Sequence, residues 1–218
     1  MEKQLYSPIS RRVMVRRAAR RAAYDPALVF AILDAGLVAH VAFVHDGQPI
    51  VVPMAYVRKD RELLLHAAAA SPMLELGAMG VAISACVTIL DGVVYARSAF
   101  HHALNHRSVV VLGRAHEVAG EADKRAFHAA LVERVAPGRS RLVRAPNDRE
   151  LEATCVLALP IDEVSAQLRT GGPVDDADDL AAPVWAGQLP VALRAMSHIP
   201  TPDGAPHVAT PARPLGID

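Results

Sequence analysis

The sequence predicts a mainly β, α+β fold: an antiparallel β-barrel with flanking helices. Three observations lead there. Runs of β-branched and aliphatic residues of strand length follow one another and are divided by turn residues, as at Asp46-Gly47 and Lys59-Asp60. Helix punctuation frames only a few short segments between them. No strand-like run is followed by a glycine-rich G-x-G-x-x-G or P-loop segment, so the usual nucleotide cradles of parallel α/β folds are absent.

The elements follow in order. Residues 1–24 form an arm rich in arginine (Arg11, Arg12, Arg16, Arg17, Arg20 and Arg21), read as solvated or interface-facing rather than as a targeting leader. In "YDPALVFAILDAG", Asp25 is the N-cap, Pro26 the first helical residue and Gly36 the stop. The stretch "LVAHVAFVHDGQPIVVPMAYVRKDRELLLHAA" reads as three strands in a meander. Pro49 and Pro53 in the second run imply an edge or a bulge, because proline cannot donate to a ladder. Ser71-Pro72 opens a short helix over "SPMLELGAMG", and "VAISACVTIL" follows as a strand. "RSVVVLGRAHEVAG" is a long strand in which Gly113 suits a bulge or a close backbone approach. "EADKRAFHAALVERV" is an amphipathic helix with Ala126, Phe127, Ala130, Leu131 and Val135 on one side, and "DRELEATCVLALPI" is a helical turn and then a strand. Five or six strands result. The barrel domain runs over 25–169; eight of the sixteen prolines fall after it, so 170–218 reads as an extended tail.

Lys+Arg and Asp+Glu are both 23, which removes the electrostatic motive for binding nucleic acid. Cys86 and Cys155 stand far apart, without a C-x-x-C pair, which fits a reducing cytoplasm. The apolar segment "LGAMGVAISACVTIL" is too short to span a bilayer, which needs about 20 residues, so no membrane association is expected.

The chemistry-bearing stretch is "ARSAFHHALNHRSVVVLGRA", where His101, His102 and His106 surround Arg97 and Arg107. Three uses compete for it: a metal site, an anion site, and a polar turn before a buried strand. Adjacent histidines point opposite ways on a strand, no acid or cysteine is interleaved, and no zinc spacing is matched. No G-x-S-x-G elbow makes Ser98 or Ser108 a nucleophile. Arg97 at the end of one strand, Arg107-Ser108 at the start of the next and Ser71 at a helix start suit a phosphate monoester. Ordinary surface ion pairs and an ordinary N-cap account for them equally well.

Taken together, "RRAARRAAYD", "AILDAGLVAHVAFVHDGQPIVVPMAY", "LLLHAAAAS", "LDGVVYARSAFHHALNHRSVVVLG", "PGR" and "VWAGQLP" resemble the pyridoxamine 5′-phosphate oxidase-related flavoproteins, in particular the branch similar to nitroimidazole-resistance proteins. The resemblance implies a split β-barrel homodimer that binds FMN in a groove between subunits. It implies an oxidoreductase reducing a small electron-poor compound of nitroimidazole type. It assigns the flavin ring to the backbone at Val52, Pro53 and Met54, and the phosphate region to His66, Ala67, Ala68 and Ser71. The rim falls to Arg97, Asn105, Arg107, Ser108 and Trp185. His66 and His106 are the candidate acid–base residues, since imidazole titrates near neutrality. The chain departs from the family pattern with Ala67-Ala68 in place of Gly-Ser, Pro72 in place of Arg, Ala103 in place of Ser and His106 in place of Tyr. Hydroxyls and a guanidinium are thereby lost, and the histidines suit haem as an alternative ligand. A non-catalytic flavin- or haem-binding protein is the second reading, and a homodimer with a decayed site the third.

Overall fold

The first helix starts where its punctuation says. In the computed structural model, which describes residues 8–17, 19–68 and 80–201, α1 spans Pro26–Ala35 and the Asp25 carboxylate accepts the Ala27 N–H at 3.0 Å. Gly36 closes α1 for want of room: its φ is −78°, and a Cβ there would sit 2.3 Å from Val87 Cγ1.

Among the described residues, nine strands build one antiparallel sheet: β1 Ala22–Ala23, β2 Val38–His45, β3 Gln48–Lys59, β4 Glu62–Ala68, β5 Val81–Tyr95, β6 Ala103–Glu117, β7 Thr154–Pro160, β8 Glu163–Arg169 and β9 Gly187–Pro190. Two further helices, α2 Glu121–Val135 and α3 Asp148–Glu152, lie outside it. The order is β1-β8-β6-β7-β4-β3-β2-β5-β9, and β5 also pairs with β6. Strands β6, β7, β4, β3, β2 and β5 therefore close on themselves. The closure is split, because one edge of β6 serves β8 over His106–Leu112 and then β7 over His116–Glu117. Asp46 and Gly47 take φ of 50° and 74° in the β2–β3 turn, as a tight hairpin requires.

The strand count exceeds the expectation for two reasons. "EVSAQLR" alternates weakly and gave no strand signal, yet becomes β8. The arm, expected to be solvated or interface-facing, and the tail, expected to be extended, each contribute a strand: β1 on β8 and β9 on β5. The arm also buries Val13 and ties Arg12 to Glu163. The helix expected from Ser71 lies outside the described residues. No described helix is long and apolar enough to cross a membrane.

Inside the barrel, Leu63 and Leu65 of β4, Val109 and Val111 of β6, and Leu157 and Leu159 of β7 are fully buried. Gly113 lets Leu159 approach: a Cβ at 113 would meet its Cδ1 at 2.9 Å. A second, smaller core lies on the outer flank, where Phe127 of α2 covers Leu64, Val156 and Ala158, with Ala130 and Leu131 partly buried beside it. Ala126 and Val135, expected on the same face, are exposed, because α2 covers only a narrow strip of β4 and β7.

Tyr56 joins these parts. Its ring is fully buried, and its hydroxyl donates to the carbonyls of Leu33 at 2.5 Å and Gly36 at 3.0 Å, at the end of α1 where helical carbonyls lack partners. Arg134 of α2 stacks on the Tyr56 ring at 4.7 Å and donates to the same two carbonyls. Burial pushes the Tyr56 phenol up to about 12 from 10.0. The folded state thus holds this proton more tightly than the unfolded chain, so the contribution is complete below pH 10 and lost as pH rises towards 12. Two units correspond to about 2–3 kcal/mol. Urea titrations across that window should show wild type losing stability more steeply than Tyr56→Phe. Below it, the variant should be less stable by about 1 kcal/mol for the missing hydrogen bonds.

Candidate functional site

β3 pairs with β2 along Gln48–Ala55 but with β4 only along Tyr56–Lys59. Among the described residues, the other edge of Gln48–Ala55 has no neighbour. Pro49 and Pro53 share one strand parity within this half, so both lack an N–H without interrupting the β2 ladder. Val52 and Met54 pack against the barrel core, and Pro53 faces out. The backbone around Val52–Met54 is therefore an open edge able to face a flat polar ring.

Past Leu65, β4 leaves β3 and follows β7, with His66, Ala67 and Ala68 opposite Val156, Cys155 and Thr154. Ala67 packs against the barrel core. His66 takes the opposite face, its ring 5.8 Å from that of Phe127. The structure thus separates His66 from Ala67, where the sequence grouped them in one phosphate region. β7 also stands between the strands of His66 and His106, so the two candidate acid–base residues are not brought together. His66 Nδ1 and, on α2, His128 Nε2 are both buried without a hydrogen-bond partner. Burial first, then the nearby His66, pushes the His128 pKa down. Ser71 lies outside the described residues.

The histidine–arginine cluster is dismantled by its surroundings. Arg107 and Ser108 lie in the middle of β6, not at its start, and successive residues of a strand face opposite ways, so they cannot grip one anion from the same side. Arg107 is already engaged by Asp91, with Nε at 2.9 Å and Nη2 at 2.7 Å from its two oxygens, and that bond raises its pKa. Asp91 is available because it is the extra residue of a bulge between Leu90 and Gly92. Arg97 is engaged likewise: its N–H and Nη1 reach the two oxygens of the buried Asp175 carboxylate at 2.9 and 2.7 Å. The Arg97 N–H leads the groups holding Asp175 below the usual carboxylate range. His101 pairs with Asp176 at 3.2 Å, and His102 Nδ1 lies 2.9 Å from the Ser98 carbonyl. Ligand-type atoms of His101, Asp176 and Asp179 fall within 4.8 Å of one another, as in an ordinary surface ion-pair group. Trp185 is exposed in the tail, its ring 5.7 Å from Tyr95.

Asn105 is buried and works as a clamp. Its amide donates to the Gly171 carbonyl and to Gln188 Oε1, both at 3.1 Å, and its oxygen accepts from Arg169. Between the end of α1, β2, β5 and the chain after β9 lies a cavity of about 530 Å³, lined among others by Gly36, His40, Thr88, Leu90, Asp91 and Arg107. That volume lies in the range of small-molecule sites. Asp91, Asp175, His128 and Arg169 escaped the sequence reading. Only Asp91, in the quoted "LDGVVY", lay within a motif.

The profile of the pyridoxamine 5′-phosphate oxidase family matches residues 25–168. The chain belongs to this family. Its fold is similar to that of the flavocytochrome Anf3 from Azotobacter vinelandii, with 37% identity, 93% of this chain and 94% of that one covered, and a TM-score of 0.87. It is also similar to the FAD and haem binding protein from Mycobacterium smegmatis, with 35% identity, 88% and 94% covered, and a TM-score of 0.82. A putative 5-nitroimidazole antibiotic resistance protein from Bacteroides thetaiotaomicron shares the fold at 17% identity, with 66% and 84% covered and a TM-score of 0.52. No curated protein sequence matches the chain significantly.

Arg97→Ala should leave the Asp175 carboxylate without its cation and lower the stability of the protein. The segment after β8 should loosen while the barrel stays folded. Chymotrypsin should then cut at Trp185 faster than in wild type, with a lower melting temperature.

Proposed function

We propose that this protein is a homodimeric redox protein that holds a flavin nucleotide and a haem. The observation that carries the reading is the reach of its likeness to the solved flavocytochrome and the solved FAD and haem binding protein. At 37% and 35% identity it covers 93% and 88% of the chain, well beyond the 25–168 of the family profile. Reduction of a nitroimidazole-type compound, which the motifs suggest, has only a shared fold in its support. The flavin implied by the motifs is FMN; the relative named for FAD moves the proposal to FAD.

The residues present fit both groups. The unpaired edge at Val52–Met54 and the cavity bearing Arg107 suit a flavin. His66, with a buried and unpartnered imidazole nitrogen, is the residue suited to bind iron, and His128 is a second. When bound, the flavin supplies hydride and one-electron chemistry and the haem one-electron chemistry. The chain's own part is to orient them and exclude water. Assembly is supported by the outer face of β2, β3, β5 and β6, where Val38, Val44, Val51, Leu90 and Leu104 stand exposed on one side of the sheet.

Purified protein, reconstituted with FAD and hemin, should show flavin bands and a Soret band, release FAD on heating, and scatter light as a dimer. His66→Ala should lose the Soret band and keep the flavin bands. A featureless spectrum after both additions would sink the proposal.

A further inference from the structure

Arg169 closes β8 and is buried, with 8% of its surface exposed. One guanidinium nitrogen donates to two neutral acceptors, Asn105 Oδ1 and the Gly171 carbonyl. Its Nε is buried with no partner at all. No carboxylate lies within ion-pairing distance of it among the described residues, although Arg97 and Arg107 each have one. The charge that acts on it is of the same sign: Arg21, brought alongside because β1 lays Ala22 against Gln167 of β8. Burial first and then Arg21 lower the Arg169 pKa. A buried guanidinium without a counter-charge is costly, and a second arginine beside it adds to the cost. His106, directly opposite Arg169 in the β6–β8 register, also buries a ring nitrogen, Nδ1, without a partner.

The sheet register ties this spot to the cavity described above. Leu90, His106 and Arg169 form one row across β5, β6 and β8, and Leu90 lines the cavity with Asp91 and Arg107. Two strand steps are about 10 Å, a span that the ribityl chain and phosphates of a flavin nucleotide can bridge.

We propose that Arg169, with Arg21 and His106, forms an anion site that receives the phosphate or diphosphate of a flavin nucleotide whose ring occupies the Arg107 cavity. The assignment of the ligand rests on the flavin reading; the anion site itself does not. A phosphate group supplies the missing counter-charge and acceptors for Arg169 Nε and the Arg21 guanidinium, with charge-assisted bonds stronger than those to neutral acceptors.

The apo protein is titrated with FAD, FMN and riboflavin, in wild type and in the variants Arg169→Gln, Arg21→Gln and Asn105→Asp. Arg169→Gln should weaken FAD and FMN about tenfold or more, the equivalent of one charge-assisted bond, and leave riboflavin within about twofold. Arg21→Gln, on a half-buried residue outside the core, should act in the same direction and more weakly; it carries the comparison if Arg169→Gln fails to fold. Asn105→Asp places a carboxylate where the amide oxygen now accepts from Arg169, so it should raise the melting temperature and weaken FAD and FMN together. Equal weakening of riboflavin and FAD in both arginine variants would overturn the proposal. Should wild type bind none of the three flavins, the flavin reading fails, and inorganic pyrophosphate decides the anion site alone. Pyrophosphate raising the melting temperature of wild type above a chloride control of equal ionic strength, but not that of Arg21→Gln, supports the site. No difference from chloride overturns it.

Discussion

One strand carries the architecture. β6 gives Ala103–Ala115 on one side to β5 and divides the other side between β8 and β7. Because a strand offers two edges only, the closed ring and the side sheet must share this one. Everything placed at the site depends on that division. It sets His106 opposite Arg169, and it lets β4 part from β3 beyond Leu65, which opens the edge at Val52–Met54.

Most of the arginines that tie this framework together meet a carboxylate, whereas Arg134 holds the carbonyl end of α1 and Arg169 an amide oxygen and a carbonyl. Arg58 is met by Asp34, Arg97 by Asp175, Arg107 by Asp91 and Arg144 by Glu150. Each of these pairs fixes a connection: α1 to β3, the tail to the β5–β6 link, the β5 bulge to β6, and the chain before α3 to α3. Arg169 is the most buried of the described arginines and holds only neutral acceptors. The contrast is informative because paired arginines are structural by default, whereas an unpaired one in a dry site stores an unmet demand for negative charge.

Local chemistry made much of the fold legible. Asp25-Pro26, Asp46-Gly47 and the prolines of β3 each impose a backbone condition on their immediate neighbours, and each is met. The site was less legible, because its decisive partners are distant in sequence. Arg97 and Asp175 lie 78 residues apart and Asn105 and Gly171 lie 66 apart. No periodicity announces such pairs. Even Asp91, only 16 residues from Arg107, is exposed by a bulge that its sequence does not signal. The family resemblance carried the fold, but its motif residues point to different sides of the strands that bear them. The buried face of α2 is narrower than its periodicity suggests for a related reason: periodicity states which residues align, not how wide a surface awaits them.

The two described ends of the chain are also the two ends of the sheet. β1 closes one side with two residues and β9 the other with four, and the open half of β3 is blunted by Pro49 and Pro53. Exposed strand edges recruit other chains, so short or proline-bearing edges keep a sheet from polymerising. During synthesis this protection arrives unevenly. The proline-guarded edge and β1 leave the ribosome early, whereas the stretch of β5 at Gly92–Tyr95 waits about 90 residues for β9 to cover it. The nascent chain is therefore most adhesive late, when its barrel strands are already made and its last short strand is still in the exit tunnel.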